Sequence, residues 1–189
     1  MEKNIIIVGV GGQGTLLASR ILGAAATIKG YDVKVSEVHG MAQRGGSVIT
    51  YVKYGKKVYS PIVAKGTADI ILAFEMLEGF RYLPYLKKDG VLIVNTQTID
   101  PMPVITGAME YPTDIIEKIK EKNIRVITLD ALQKAVEAGS TKAVNVALIG
   151  ALAASSPIEK EVFEQALEQT VPPKFLDLNK KAFELGYNA

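Results

Sequence analysis

The chain has 189 residues, of which 48% are hydrophobic and 22% charged, with 22 Lys and Arg against 20 Asp and Glu. This is long enough to bury a full core and is read as one domain over residues 1–189, and a formal charge of +2 gives no field suited to nucleic acid or an anionic bilayer. Cysteine is absent and His39 is the only histidine. That excludes disulfides, thiolate nucleophiles, an iron–sulfur cluster held by this chain and any multi-histidine metal site, and leaves only carboxylate sites for hard cations open.

Met1-Glu2-Lys3-Asn4 leads straight into an apolar strand, with no basic head and no cleavage signal, so no signal peptide is expected. The longest apolar stretch, Val146 to Ala154, is about half of the roughly 20 residues needed to cross a bilayer. A cytoplasmic chain with no membrane partner is the expectation. Ile5-Ile6-Ile7-Val8 reads as a strand covered on both faces of a parallel sheet. After a glycine turn, Leu17, Ile21, Ala24, Ala25 and Ile28 recur at helical spacing and stop at Gly30. A second strand, Asp32 to Val38, is expected to complete a βαβ unit. Ser47 to Tyr54 and Lys57 to Tyr59 flank Gly55-Lys56, a pattern that predicts an antiparallel hairpin inserted in the α/β alternation.

Alternation resumes with a strand at Asp69 to Phe74, a helix at Glu75 to Leu86 and a strand at Gly90 to Asn95. Gln97 to Pro112 reads as a long irregular connection, followed by a helix at Pro112 to Glu121 and a strand at Ile124 to Leu129. Asp130 with Gln133 predicts an N-cap, and Gly139 the end of that helix. The last fifty or so residues read as all helical, with Ala143 to Ala154 apolar on nearly every side and Ser156, Pro157 and Glu159 forming a capping box. The fold class is therefore α/β: a Rossmann-like, doubly wound, mostly parallel sheet with an inserted antiparallel hairpin and a helical C-terminal region.

Two small-residue runs carry the chemistry. Gly9, Gly11 and Gly14 fit G-x-G-x-x-G between a buried strand and a helix, which suits a tight turn, a bare backbone approach and amides aimed at a phosphate. Glu37, at the end of the second strand, stands where a ribose-binding carboxylate would sit, so a stand-alone NAD- or FAD-binding oxidoreductase is one reading; close helix–strand packing is the plain alternative. The amide of Gln13 is free either to meet a ligand oxygen or to bind the neighbouring loop. The second run, Gly40-Met41-Ala42-Gln43-Arg44-Gly45-Gly46, falls at the carboxyl edge of the sheet, where ligands bind in open α/β folds. There Arg44 offers a fork for phosphate or carboxylate or a partner for Glu37, and His39 is the one group able to titrate near neutral pH. Glu75 and Asn95 end two further strands on that edge, as ligand contacts or as helix caps.

These runs, with Ser36-Glu37-Val38-His39 before the second of them and with Tyr59-Ser60-Pro61, Ala68-Asp69 and Leu72-Ala73-Phe74-Glu75, resemble the gamma-type module of 2-oxoacid:ferredoxin oxidoreductases. The form from His39 to Gly46 is most similar to the small beta subunits of the indolepyruvate ferredoxin oxidoreductases, and the resemblance runs through essentially the whole chain. It implies a subunit of a hetero-oligomer that oxidatively decarboxylates a 2-oxoacid, forms acyl-coenzyme A and sends electrons to ferredoxin. Thiamine diphosphate and the iron–sulfur clusters would sit on a large partner subunit, in keeping with the lack of cysteine. The resemblance implies that Gly9, Gly11, Gly12, Gln13 and Gly14 face coenzyme A phosphate or the joint with the partner, while His39, Gln43, Arg44, Gly45 and Gly46 close over that region. It assigns no catalytic residue and no metal ligand to this chain.

Overall fold

The computed structural model describes residues 2–40 and 46–189; Gln43, Arg44 and Gly45 lie outside them. The elements are β1 (Lys3–Val10), α1 (Thr15–Ile28), β2 (Asp32–His39), β3 (Ser47–Gly55), β4 (Ala68–Ala73), α2 (Met76–Tyr82), β5 (Leu86–Asn95), α3 (Met102–Ile105), α4 (Ile115–Lys120), β6 (Arg125–Leu129), α5 (Ala131–Ala138), α6 (Val144–Ala154), α7 (Lys160–Thr170) and α8 (Leu176–Tyr187). They build a six-stranded sheet in the order β2-β3-β1-β4-β5-β6. β4 lies parallel to β1, β5 to β4 and β6 to β5, while β3 runs antiparallel to both β1 and β2.

Alternation along β1 divides the core in two. Ile5 and Ile7 pack with residues of α1, α5, α6, α7 and α8, and Ile6 and Val8 pack on the opposite face with Ile115 and Ile119 of α4. Both faces of the central strand are thus covered, as its unbroken β-branched run requires. No helix among the described residues is long and apolar enough to cross a membrane.

Two expectations about the first half are corrected. β2 does not complete a βαβ unit beside β1, because β3 lies between them and β2 is left at the sheet edge. The antiparallel hairpin is real, but it joins β2 to β3, with the second glycine run as its connection. Lys57 to Tyr59 is not a strand. β3 already has β1 on one side and β2 on the other, so no edge is left for it, and the segment is held instead by Val58 N donating to Asp32 Oδ2 at 2.9 Å.

Smaller differences follow local chemistry. The helix expected over Glu75 to Leu86 ends at Tyr82, where a short 3-10 turn, Leu83–Tyr85, takes in Pro84 before β5 begins at Leu86. Proline has no N–H to continue the α-helical ladder. The connection from Gln97 to Pro112 contains the one-turn helix α3. Ser156 does not cap α7; its hydroxyl accepts from Ile158 N at 3.1 Å, and α7 starts at Lys160 with Glu159 as an extended N-cap that makes no side-chain cap bond.

In the C-terminal region every residue of α6 from Asn145 to Ala153 is buried. Its closest partner is α8, and the crossing depends on two glycines: a Cβ on Gly150 would stand 2.1 Å from Phe183 O, and one on Gly186 would stand 1.9 Å from Ala147 O. Backbone touches backbone there, which holds α6 tightly against α8.

Candidate functional site

Strand polarity brings the two glycine runs together. Because β3 is antiparallel to β1, its first residue, Ser47, lies opposite Val10, the last of β1. The turn after β1 and the loop before β3 therefore leave the sheet side by side, and Gly11 N donates to Gly46 O at 2.9 Å. Gly40 N closes the hairpin on Ser47 O at 3.2 Å. On the opposite face Ser47 Oγ donates to Glu78 Oε2 at 2.6 Å, and Arg81 binds the other oxygen of the same carboxylate at 2.6 Å.

The turn ends in Gly14, the N-cap of α1, whose φ of 84° belongs to the left-handed region. Its side is also closed: a Cβ there would meet Asn145 Nδ2 at 2.6 Å, and Asn145, at the start of α6, donates to Gly14 O at 3.4 Å. With no capping side chain, the N–H groups of Gly12, Gly14, Thr15 and Leu16 make no hydrogen bond among the described residues. These open donors stand at the positive end of a 14-residue helix, an arrangement suited to phosphate or carboxylate.

The turn divides two clefts. One of about 490 Å³ is lined by Gly11, Gly12, Gly14, Thr15 and Leu16 on one side and by Glu37, His39, Gly40 and Val48 on the other. The second, of about 500 Å³, lies between the turn and the start of α6, with Gln97, Thr141, Lys142 and Asn145 in its wall. Either is large enough for part of a nucleotide-sized ligand.

Some predicted site residues face inward. Gln13 uses both ends of its amide within the chain: Oε1 accepts from Val10 N at 2.7 Å, and Nε2 donates to Phe74 O at 3.0 Å and to Gln97 Oε1 at 3.2 Å. Gly9 lies inside β1, where a Cβ would meet Gln13 Oε1 and Phe74 Cβ at 2.8 and 2.9 Å. Asn95 donates to the same Phe74 oxygen at 3.0 Å and accepts from Ala131 N at 3.1 Å, which caps α5. Glu75, 1% exposed, caps α2 through Glu78 N at 2.8 Å and holds the following connection by accepting from Ile99 N and the Tyr111 hydroxyl. Burial and the Glu75 carboxylate push the Tyr111 phenol well above its ordinary value. Glu75 and Asn95 are therefore helix caps and not cleft-lining groups.

Glu37 is where the dinucleotide reading meets the structure. β3 separates its strand from β1, which sets it a further strand spacing of about 4.8 Å away from the glycine turn. Its carboxylate is also engaged: Oε1 lies 2.7 Å from His39 Nε2, and Oε2 accepts from Thr50 Oγ1 at 2.8 Å. A ribose would have to displace these partners. The Glu37–His39 pair was missed in the sequence, although a separation of two residues on a strand places both side chains on one face.

A family model for pyruvate ferredoxin/flavodoxin oxidoreductase matches residues 4–189. The chain belongs to that family. It is 47% identical to indolepyruvate oxidoreductase subunit IorB of Thermococcus kodakarensis, over 100% of this chain and 96% of that one. Among solved structures it is similar to the gamma subunit of a keto/oxoacid ferredoxin oxidoreductase from Geobacter sulfurreducens, with a TM-score of 0.73 and 27% identity over 98% of this chain and 96% of the other. The fold also recurs in a 2-oxoglutarate:ferredoxin oxidoreductase from Magnetococcus marinus, solved with 2-oxoglutarate, coenzyme A and succinyl-CoA bound; there the TM-score is 0.76 and the identity 20%, over 99% of this chain and 30% of that one. The family member described here thus corresponds in length to small subunits, and its fold recurs as one part of a longer chain.

Proposed function

We propose that this chain is the small subunit of an indolepyruvate, or related arylpyruvate, ferredoxin oxidoreductase. It supports oxidative decarboxylation of the 2-oxoacid to acyl-coenzyme A with ferredoxin as electron acceptor. The observation that carries this reading is the end-to-end 47% identity to an indolepyruvate oxidoreductase subunit. Thiamine diphosphate and iron–sulfur clusters belong to a large partner subunit. The donor set of this chain does not fit clusters, since it has no cysteine, and no group of three His, Cys, Asp or Glu able to hold a metal occurs among the described residues.

Coenzyme A fits the open edge better. Its phosphates would meet the free N–H groups of Gly12, Gly14 and Thr15, with the Gln13–Gln97–Asn95 amides holding the turn rigid beneath them. His39 and Gly46 would face them from the other side, and Gln43, Arg44 and Gly45 are proposed as further contacts of the same ligand. This chain then contributes shape and anion-receptive backbone while the partner performs the redox chemistry.

The test is reconstitution. The purified chain alone should reduce no acceptor with indolepyruvate and coenzyme A, and co-expression with the cysteine-rich large subunit should give coenzyme A-dependent reduction of ferredoxin. Turnover by the chain alone would overturn the reading, as would assembly into a complex indifferent to arylpyruvates.

A further inference from the structure

His39 is the only histidine of the chain, and its side chain, 58% exposed, stands in the wall of the cleft between the glycine turn and the β2–β3 hairpin. Glu37, 13% exposed, holds it through the 2.7 Å contact to Nε2 and is itself held by Thr50, which lies directly opposite on β3. An ionised carboxylate can only accept, so Nε2 carries the hydrogen and Nδ1 is the ring nitrogen left for a ligand. The remaining lining groups, from the glycine turn, Thr15 and Leu16 of α1, Gly40 and Val48 of β3, are uncharged. Glu37 and His39 are therefore the only ionisable groups among the described residues that line this cleft.

We propose that His39, positioned by Glu37 and Thr50, is the proton-coupled contact of the cleft. An anionic group of a phosphorylated ligand sits between the open amides of the turn and the ring, and one proton is taken up at Nδ1 as it binds. Among the described lining residues a neutral ring leaves the negative charge of Glu37 uncompensated, which opposes an anion; protonating the ring offsets that charge and supplies a second N–H donor. Glu37 and Thr50 are positioning residues, fixing tautomer and ring orientation. The proposal rests on the reading of this cleft as the coenzyme A contact. It predicts that affinity falls as pH rises, by up to about tenfold per pH unit for one coupled proton.

The test is calorimetric titration of coenzyme A into the full chain, alone and in the assembled complex, near neutral pH in buffers of different ionisation enthalpy. The single imidazole and the amides of Gly12, Gly14 and Thr15 are followed by NMR in the same samples. The wild type should take up about one proton more than His39→Gln, which also subtracts protons exchanged by the ligand's own phosphates, and His39→Gln should bind about tenfold more weakly. Glu37→Gln should flatten the pH profile of binding and release the ring into a mixture of tautomers, and Thr50→Val should do so more weakly. Equal proton uptake by wild type and His39→Gln, or a single tautomer retained in Glu37→Gln, would overturn the inference. If the amides shift on addition of coenzyme A while the ring does not, this inference alone fails. If neither responds in the chain or in the complex, the assignment of the cleft to coenzyme A fails first.

Discussion

The two ends of the parallel strands treat polar groups in opposite ways. At the amino end Asp69, with a side chain 11% exposed, is bound by Lys3, Lys87 and Asn4 N, so the charges there close on one another. At the carboxyl end an inner layer of Gln13, Glu75, Asn95 and Gln97 is paired in the same way, but an outer rim of amides at Gly12, Gly14 and Thr15 finds no partner among the described residues. Polar residues crowd both ends, and crowding therefore does not mark a site. What separates the ends, among the described residues, is that the carboxyl end leaves a row of backbone amides at a helix N-terminus without acceptors, whereas the polar atoms left without partners at the amino end, Asn4 Oδ1 and the Tyr54 hydroxyl, are buried side-chain groups.

Three substitutions sharpen or break this contrast. Asp69→Ala should have the largest effect, about 3 kcal/mol of stability in chemical denaturation, because it leaves two lysines facing each other and the Asn4 amide unpaired. Coenzyme A affinity should not change, and a loss of binding at intact stability would erase the distinction between the two ends. Burial works to raise the Asp69 carboxyl, but hydrogen bonds from Lys87, Asn4 N and Lys3 outweigh it and hold the group below its ordinary value. Its contribution is therefore present above the unfolded value and lost as pH falls through the folded one. The stability gap between wild type and Asp69→Ala should be constant at neutral pH and close below about pH 4.

Gln13→Ala should come next, at about 2 kcal/mol, since it frees Val10 N and removes the link from β1 to Phe74 and Gln97. Thermal unfolding measures the loss, and coenzyme A titration should show weaker binding as the donors above it lose their fixed arrangement. Gly14→Ala should have the smallest effect on folding, about 1–2 kcal/mol for a side chain at positive φ, because the Asn145 amide it meets at 2.6 Å is able to give way. Its effect on affinity should nevertheless match that of Gln13→Ala, because relieving the strain at a positive φ and the clash with Asn145 shifts the amides of Gly14 and Thr15. Gly14→Ala with unaltered affinity would show that these amides do not meet the ligand.

Much of the fold was legible because the signals were local. The strand–turn–helix at the start, the strands that became β4, β5 and β6, the Asp130 cap with its 2.9 Å bond from Gln133 N, and the left-handed Gly139 at the end of α5 all follow from residues within a few positions of one another. The neighbours of β3 did not, because pairing with β1 joins residues from 37 (Val10 with Ser47) to 51 (Lys3 with Tyr54) positions apart and nothing in Ser47 to Tyr54 names its partner. The apolar α6 was legible as buried, but not that Gly150 and Gly186 would bring two backbones together. At the site, the glycines announced a bare turn, while the inward fate of Gln13, Glu75 and Asn95 depended on which carbonyls and amides the sheet happened to present. Thr50 carried no signal at all; it acquires its role from standing opposite Glu37.

The reversed direction of β3 has a consequence for how such a module can diversify. It builds one wall of the cleft from the stems of a hairpin, through Glu37, His39, Gly40 and Val48, and anchors those stems along eight paired positions from Asp32 to His39. Lengthening a connection of this kind is cheap, about 0.6 kcal/mol for each doubling. Loops exchanged between His39 and Ser47 should therefore be tolerated by the sheet, making this segment a graftable cassette for retuning what the edge accepts without rebuilding the scaffold.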